Sequence, residues 1–167
     1  MAHWGTARAS TVTVWGFPLG VTADEFRKDV GEPHRVLEAP RQMTPLSAIG
    51  ASVFQQPPSK TWQYLRDGRT FDVRFVAGIA SSISLVPAFG VNLGDSTSAP
   101  PADPLGIRLG DTMGDLLIKS RAVDHINPGT EVQVLSAIIS VSRDDVRYTY
   151  VIAQGLISSE SVYYAAK

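Results

Sequence analysis

With 15 Lys+Arg against 16 Asp+Glu, a chain of 167 residues carries a formal net charge of −1. No basic field exists to neutralise phosphates, and nucleic acid is excluded as an expected partner. Hydrophobic residues at 44%, charged residues at 19% and no cysteine exclude general disorder, disulfides and thiolate chemistry, and no apolar run reaches the roughly 18–20 residues that cross a bilayer.

Residues 1–10 are small and polar apart from Trp4 and read as a loose leader without the basic patch and apolar core of a signal peptide. The β-branched and aromatic run Thr11-Val12-Thr13-Val14-Trp15 ends at Gly16, which predicts a short strand. Thr22 and Glu25 then stand at capping-box spacing, with Val21 and Phe26 where a hydrophobic staple sits. Together they predict a helix over Ala23 to Val30, stopped by Gly31 and Pro33.

Pro40, Pro45 and Pro57-Pro58 break up the next stretch, in which Leu46, Ile49 and Val53 outline a second short helix. From Thr61 the period becomes two. Trp62 and Tyr64 share a face, Asp67-Gly68 signals a hairpin, and Phe71, Val73 and Phe75 alternate with Asp72 and Arg74. Gly78 turns the chain into a third strand, Ile79 to Val86.

The turn-rich stretch 94–104 reads as a linker between a first unit, 11–93, and a second, 105–167. After it, Leu109-Gly110-Asp111-Thr112 matches Leu19-Gly20-Val21-Thr22, with Asp115 in place of Glu25 and Leu116 in place of Phe26. Gly114 marks this second helix as the weaker one. Asn127-Pro128-Gly129 is a turn, a strand opens at Val132 and runs to about Val141, and Arg143-Asp144-Asp145 makes a hairpin. Tyr148, Tyr150 and Ile152 then alternate with Arg147 and Thr149, before Gln154-Gly155 starts a last strand to about Tyr164. Gly78-Ile79-Ala80-Ser81-Ser82-Ile83-Ser84-Leu85 returns as Gly155-Leu156-Ile157-Ser158-Ser159-Glu160-Ser161-Val162, the mark of an internal duplication. The expected fold is α+β, with two similar halves, each a short helical segment packed on an antiparallel β-meander.

Gly20, Thr22, Glu25, Phe26, Gly31, Glu32, Pro33, Trp62, Tyr64 and Gly78 form a pattern that resembles the small outer-membrane lipoprotein family of the β-barrel assembly machinery. Two such units in tandem are similar to the β-lactamase inhibitory proteins. The resemblance implies a concave sheet that grips a protein partner, and a periplasmic or secreted location. The lipidated cysteine of the lipoproteins and the disulfides of the inhibitors are both missing here.

His3, His34 and His125 lie apart with no ligand spacing, and the glycines form no phosphate loop or dinucleotide fingerprint, so neither metal nor cofactor is expected. Asp24 and Glu25 fall in a first helical turn, where acids complement the exposed amides. Ser81-Ser82 and Ser158-Ser159 lack the surroundings of a nucleophile elbow and read as a polar sheet face. Most strand aromatics read as packing. An open sheet face would, however, draw on Trp62, Tyr64, Arg66, Arg74, Arg147, Tyr148 and Tyr150, which form the candidate partner-binding set. The leading expectation is a non-enzymatic binding protein, monomeric or weakly dimeric. The alternatives are a hydrolase-like enzyme using Asp24, Asp111 or His125 in a cleft between halves, and a purely structural envelope module.

Overall fold

The computed structural model describes residues 11–38, 59–86, 99–126, 131–135, 137–143 and 145–164. The expected helix around Leu46, Ile49 and Val53 and the turn at Asn127-Pro128-Gly129 lie outside the described residues. Within them the elements run β1 (Val12–Val14), β2 (Phe17–Leu19), α1 (Ala23–Val30), β3 (Arg35–Glu38), β4 (Ser59–Arg66), β5 (Arg69–Val76) and β6 (Ile79–Val86). There follow α2 (Met113–Ile126), β7 (Glu131–Leu135), β8 (Ile138–Arg143), β9 (Val146–Ala153) and β10 (Leu156–Tyr164). Strands β1 and β2 form a hairpin, and the other eight form one antiparallel sheet in the order β3-β4-β5-β6-β10-β9-β8-β7.

That order corrects the expectation of two similar halves, each with its own meander. β6 pairs with β10, from Leu85 opposite Glu160 to Ser82 opposite Tyr163, so a single sheet runs through the middle of the molecule. Joined in this way, neither strand leaves a row of unpaired amides, as the edge of a separate lobe would. The flanking parts also differ. A β-hairpin precedes α1, whereas a turn built on Asp103 precedes α2, and the helices have 8 and 14 residues. A local likeness remains where each helix begins: the Gly20 amide donates to Ala80 O at 2.8 Å and the Gly110 amide to Ile157 O at 2.9 Å, and a Thr-x-x-acid cap follows each glycine.

Four hairpins turn on two residues with positive φ: Trp15-Gly16, Asp67-Gly68, Ala77-Gly78 and Gln154-Gly155. Tight turns of this hand match the twist of the flanking strands, and glycine in second place takes the left-handed conformation without strain.

Helix α1 forms where its caps predict. The Glu25 amide donates to Thr22 Oγ1 at 3.3 Å, and the Thr22 amide donates to Glu25 Oε2 at 3.0 Å. Thr112 and Asp115 exchange the same two bonds at the start of α2, each at 3.1 Å. The Thr112 hydroxyl, which donates to Asp115 Oδ2 at 2.7 Å, and then the Thr112 amide hold the Asp115 carboxyl below the usual aspartate range. Thr22→Ala is expected to cost about 1 kcal/mol in urea unfolding. A midpoint unchanged from wild type would show that the cap adds nothing to the packed helix.

The core lies on one face of the sheet. Phe71, Val73 and Phe75 of β5, Ile83 and Leu85 of β6, Val162 of β10, Tyr148 and Tyr150 of β9, and Ile139 and Val141 of β8 are buried there. Val14, Phe17, Leu19, Phe26, Leu105, Ile107, Leu109 and Leu116 cover them. The Phe26 ring lies 5.3 to 6.2 Å, centroid to centroid, from those of Phe17, Trp62, Tyr64 and Phe75.

Candidate functional site

Alternation places every second residue on the opposite face of the sheet. The pairing registers align those residues into rows across the strands. One row runs Arg35, Gln63, Asp72, Ser84, Ser161, Thr149, Ser140. Its members bond to each other. Gln63 Nε2 donates to Asp72 Oδ1 at 3.0 Å, the Ser84 and Ser161 hydroxyls meet at 2.9 Å, and those of Ser140 and Thr149 at 3.3 Å. The cross-strand bonds fix these short side chains in a polar band.

The neighbouring row runs Leu37, Thr61, Arg74, Ser82, Tyr163, Arg147, Ser142. Arg74 and Arg147 are exposed, and Tyr163, 44% exposed, stands directly opposite Arg147. Arg74 Nη2 reaches Ser59 Oγ at 3.4 Å. No described carboxylate forms an ion pair with either arginine. On the other side of the polar band, Leu65 and Ile138 are 56% and 42% exposed. No element among the described residues packs on this face, so hydroxyls, two arginines and one tyrosine form a surface flanked by apolar side chains.

The seven residues expected to form the surface separate by face. Arg74 and Arg147 lie on it. Trp62, Tyr64, Tyr148 and Tyr150 do not, since all four are buried on the covered face. Tyr64 donates its hydroxyl to Gly31 O at 3.0 Å, and burial first, then the charge of Glu32, pushes that hydroxyl up to about 12. Arg66 lays its guanidinium 4.1 Å from the centroid of the Phe17 ring. Tyr163, a strand aromatic not included in the candidate set, is exposed on the face opposite the core. Its signal was available, because Tyr163 and Tyr164 are consecutive in a strand and only one of them can face the core.

A second polar group lies inside. Asp103 Oδ1 accepts the amides of Leu105 at 2.8 Å and Ile107 at 2.9 Å, and its other oxygen accepts the Tyr150 hydroxyl. The end of the expected linker is thereby anchored in the core. Glu160 stands between Tyr150 of β9 and Leu85 of β6, 1% exposed, and neither carboxyl oxygen has a hydrogen-bond partner among the described residues. Burial, followed by the charges of Asp103 and Asp111, pushes its carboxyl up to about 9, against the pull of Lys119. Burial also raises Asp103 despite its hydrogen bonds, and burial and then the Asp103 charge raise Tyr150. Lys119 Nζ closes the group, donating to Asp111 Oδ2 at 2.6 Å and Gly106 O at 2.9 Å.

The acids proposed for a cleft do not meet. Asp24 sits in the first turn of α1 and Asp111 pairs with Lys119, while the side chain of His125 lies outside the described residues. Among the described residues no cluster of three or more His, Cys, Asp or Glu could hold a metal ion, and no helix is long and apolar enough to cross a membrane.

No protein-family model matches the sequence, and no curated protein does. Among solved structures the chain is similar to a cysteine-rich secretory protein from Staphylococcus aureus, at 11% identity and a TM-score of 0.43, over 87% of this chain and 43% of that one. It is also similar to an extracellular protein containing an SCP domain from Bacillus anthracis, at 12% and 0.40, over 98% and 49%. A third, described as a candidate beta-lactamase inhibitor protein from Streptococcus mutans, matches at 10% and 0.31, over 86% and 82%. The chain spans less than half the length of the first two.

Proposed function

We propose that this chain is a non-enzymatic binding module that holds a protein partner on the uncovered face of its sheet. One observation carries the reading: Arg74, Tyr163 and Arg147 stand exposed in one row beside a band of hydrogen-bonded hydroxyls. Tyrosine and arginine are the side chains that interfaces use as anchors, because each offers a large contact area together with a polar end. The polar band is already internally bonded, so covering it leaves few donors or acceptors unsatisfied. The motif around Gly20, Thr22 and Glu25 favours a place of action at or beyond the cell envelope.

A photo-reactive amino acid at Thr149, on the proposed face, tests this in cells of the source organism against the same group at Asp24 on α1. Discrete protein adducts are expected from Thr149 alone. Adducts from Asp24 only, equal yields from both sites, or none from either would overturn the reading.

A further inference from the structure

Resting on that reading, we infer that the partner presents an acidic segment to the row containing Arg74 and Arg147. By register, positive charges on this face outnumber acids by three to two. Arg35, Arg74 and Arg147 stand against Asp72, whose carboxylate already accepts a hydrogen bond from Gln63, and Glu131, which ends the Arg74 row beside Ser142, so no acid lies between the two arginines of that row. The chain as a whole has a net charge of −1, so the excess on this face is local and does not come from composition. A guanidinium presents a planar fork of donors that matches a carboxylate, and exposed arginines beside a tyrosine suit both the charge and the stem of a Glu side chain.

The spacing narrows the partner further. Three strand steps separate β5 from β9, through β6 and β10, which at about 4.8 Å per step sets the two arginines roughly 14 Å apart. An extended peptide rises about 3.4 Å per residue, so acids four positions apart in one strand-like segment span the same distance and point the same way. Ser82 and Tyr163 lie between the arginines, under the middle of such a segment. The ligand class is therefore an extended protein segment with carboxylates at i and i+4, crossing the sheet strands.

The probe is a fluorescein-labelled threonine-rich decapeptide with two glutamates four positions apart. It is compared with the same peptide carrying glutamines, and with vesicles of anionic phospholipid, by anisotropy and sedimentation on the full chain. The glutamate peptide is expected to bind at least tenfold tighter than the glutamine peptide. Arg74→Gln with Arg147→Gln is expected to abolish that preference without changing the melting temperature, and 0.5 M salt to reduce it. Equal binding of both peptides, binding of neither, a preference that survives the double variant, or arginine-dependent binding to vesicles as tight as to the peptide would each overturn the acidic-segment assignment. Adducts formed at Thr149 separate the two readings. If they persist while the glutamate peptide fails, the surface stands and the partner class falls; if they are absent, both fall.

Discussion

Replacing Glu160 with glutamine is expected to stabilise the protein at neutral pH by about 3 kcal/mol and to flatten its stability between pH 5 and pH 9. The acid sits 1% exposed at the centre of the sheet, without a hydrogen-bond partner among the described residues, and its folded-state carboxyl is pushed up to about 9 from an ordinary 4.5. Between those values the folded protein holds a proton that the unfolded chain releases. The contribution of Glu160 to stability is therefore fully present below about pH 4.5 and is lost by about tenfold in the folding equilibrium per pH unit as pH rises toward 9, where the loss is complete. Asp103, raised in the same direction, adds to the trend, while Asp115, lowered, subtracts only below the usual aspartate range. Glutamine keeps the shape and stays neutral, so it removes the dependence. Urea unfolding of both proteins at pH 5, 7 and 8.5 measures it. A wild-type stability that is flat over that range, or a glutamine variant weaker at pH 8.5, would show that Glu160 is ionised in a polar setting.

Phe26→Ala is expected to cost about 3–5 kcal/mol, a large fraction of the 5–15 kcal/mol that holds a typical domain together. Phe26 is the buried residue of α1, and its ring is surrounded by those of Phe17, Trp62, Tyr64 and Phe75. Removing it leaves a cavity among rings that cannot all move inward. It also releases the helix that Thr22 and Glu25 start. The fall in the urea midpoint measures the cost. A loss under 1 kcal/mol would mean that α1 rests on the sheet without holding it.

Local chemistry was legible wherever it acts over a few residues. The Thr22 and Glu25 spacing placed α1 at Ala23–Val30, alternation outlined β4 and β5, and the turn at Gly78 marked the start of β6. Short elements were harder to see. β2, Phe17-Pro18-Leu19, carries a proline that suits only a strand without a full ladder, and β3 exists because Arg35 to Glu38 find Lys60 to Gln63 beside them. The pairing of β6 with β10 joins residues far apart in the chain and has no local signal. Alternation also separates residues into two sets without telling which set is covered. The proposed surface combined Arg147 with Tyr148 and Tyr150, although consecutive strand residues face opposite ways, and of the expected set only Arg74 and Arg147 are on the side opposite the core. The buried state of Glu160 was hidden for the same reason, since a strand position facing the core looks like any other until its neighbours are known.

The hydroxyls of Ser84 and Ser161, 77 residues apart in the chain, meet across the junction of β6 and β10. This junction makes the assembly order matter. Until β10 is in place, β6 is a bare border whose amides invite any extended chain nearby, and closing so long a loop is slow. Fragments that stop short of β10 should clump, and added late-strand peptide should rescue them, so the fold is most vulnerable during its own synthesis and not once it is complete.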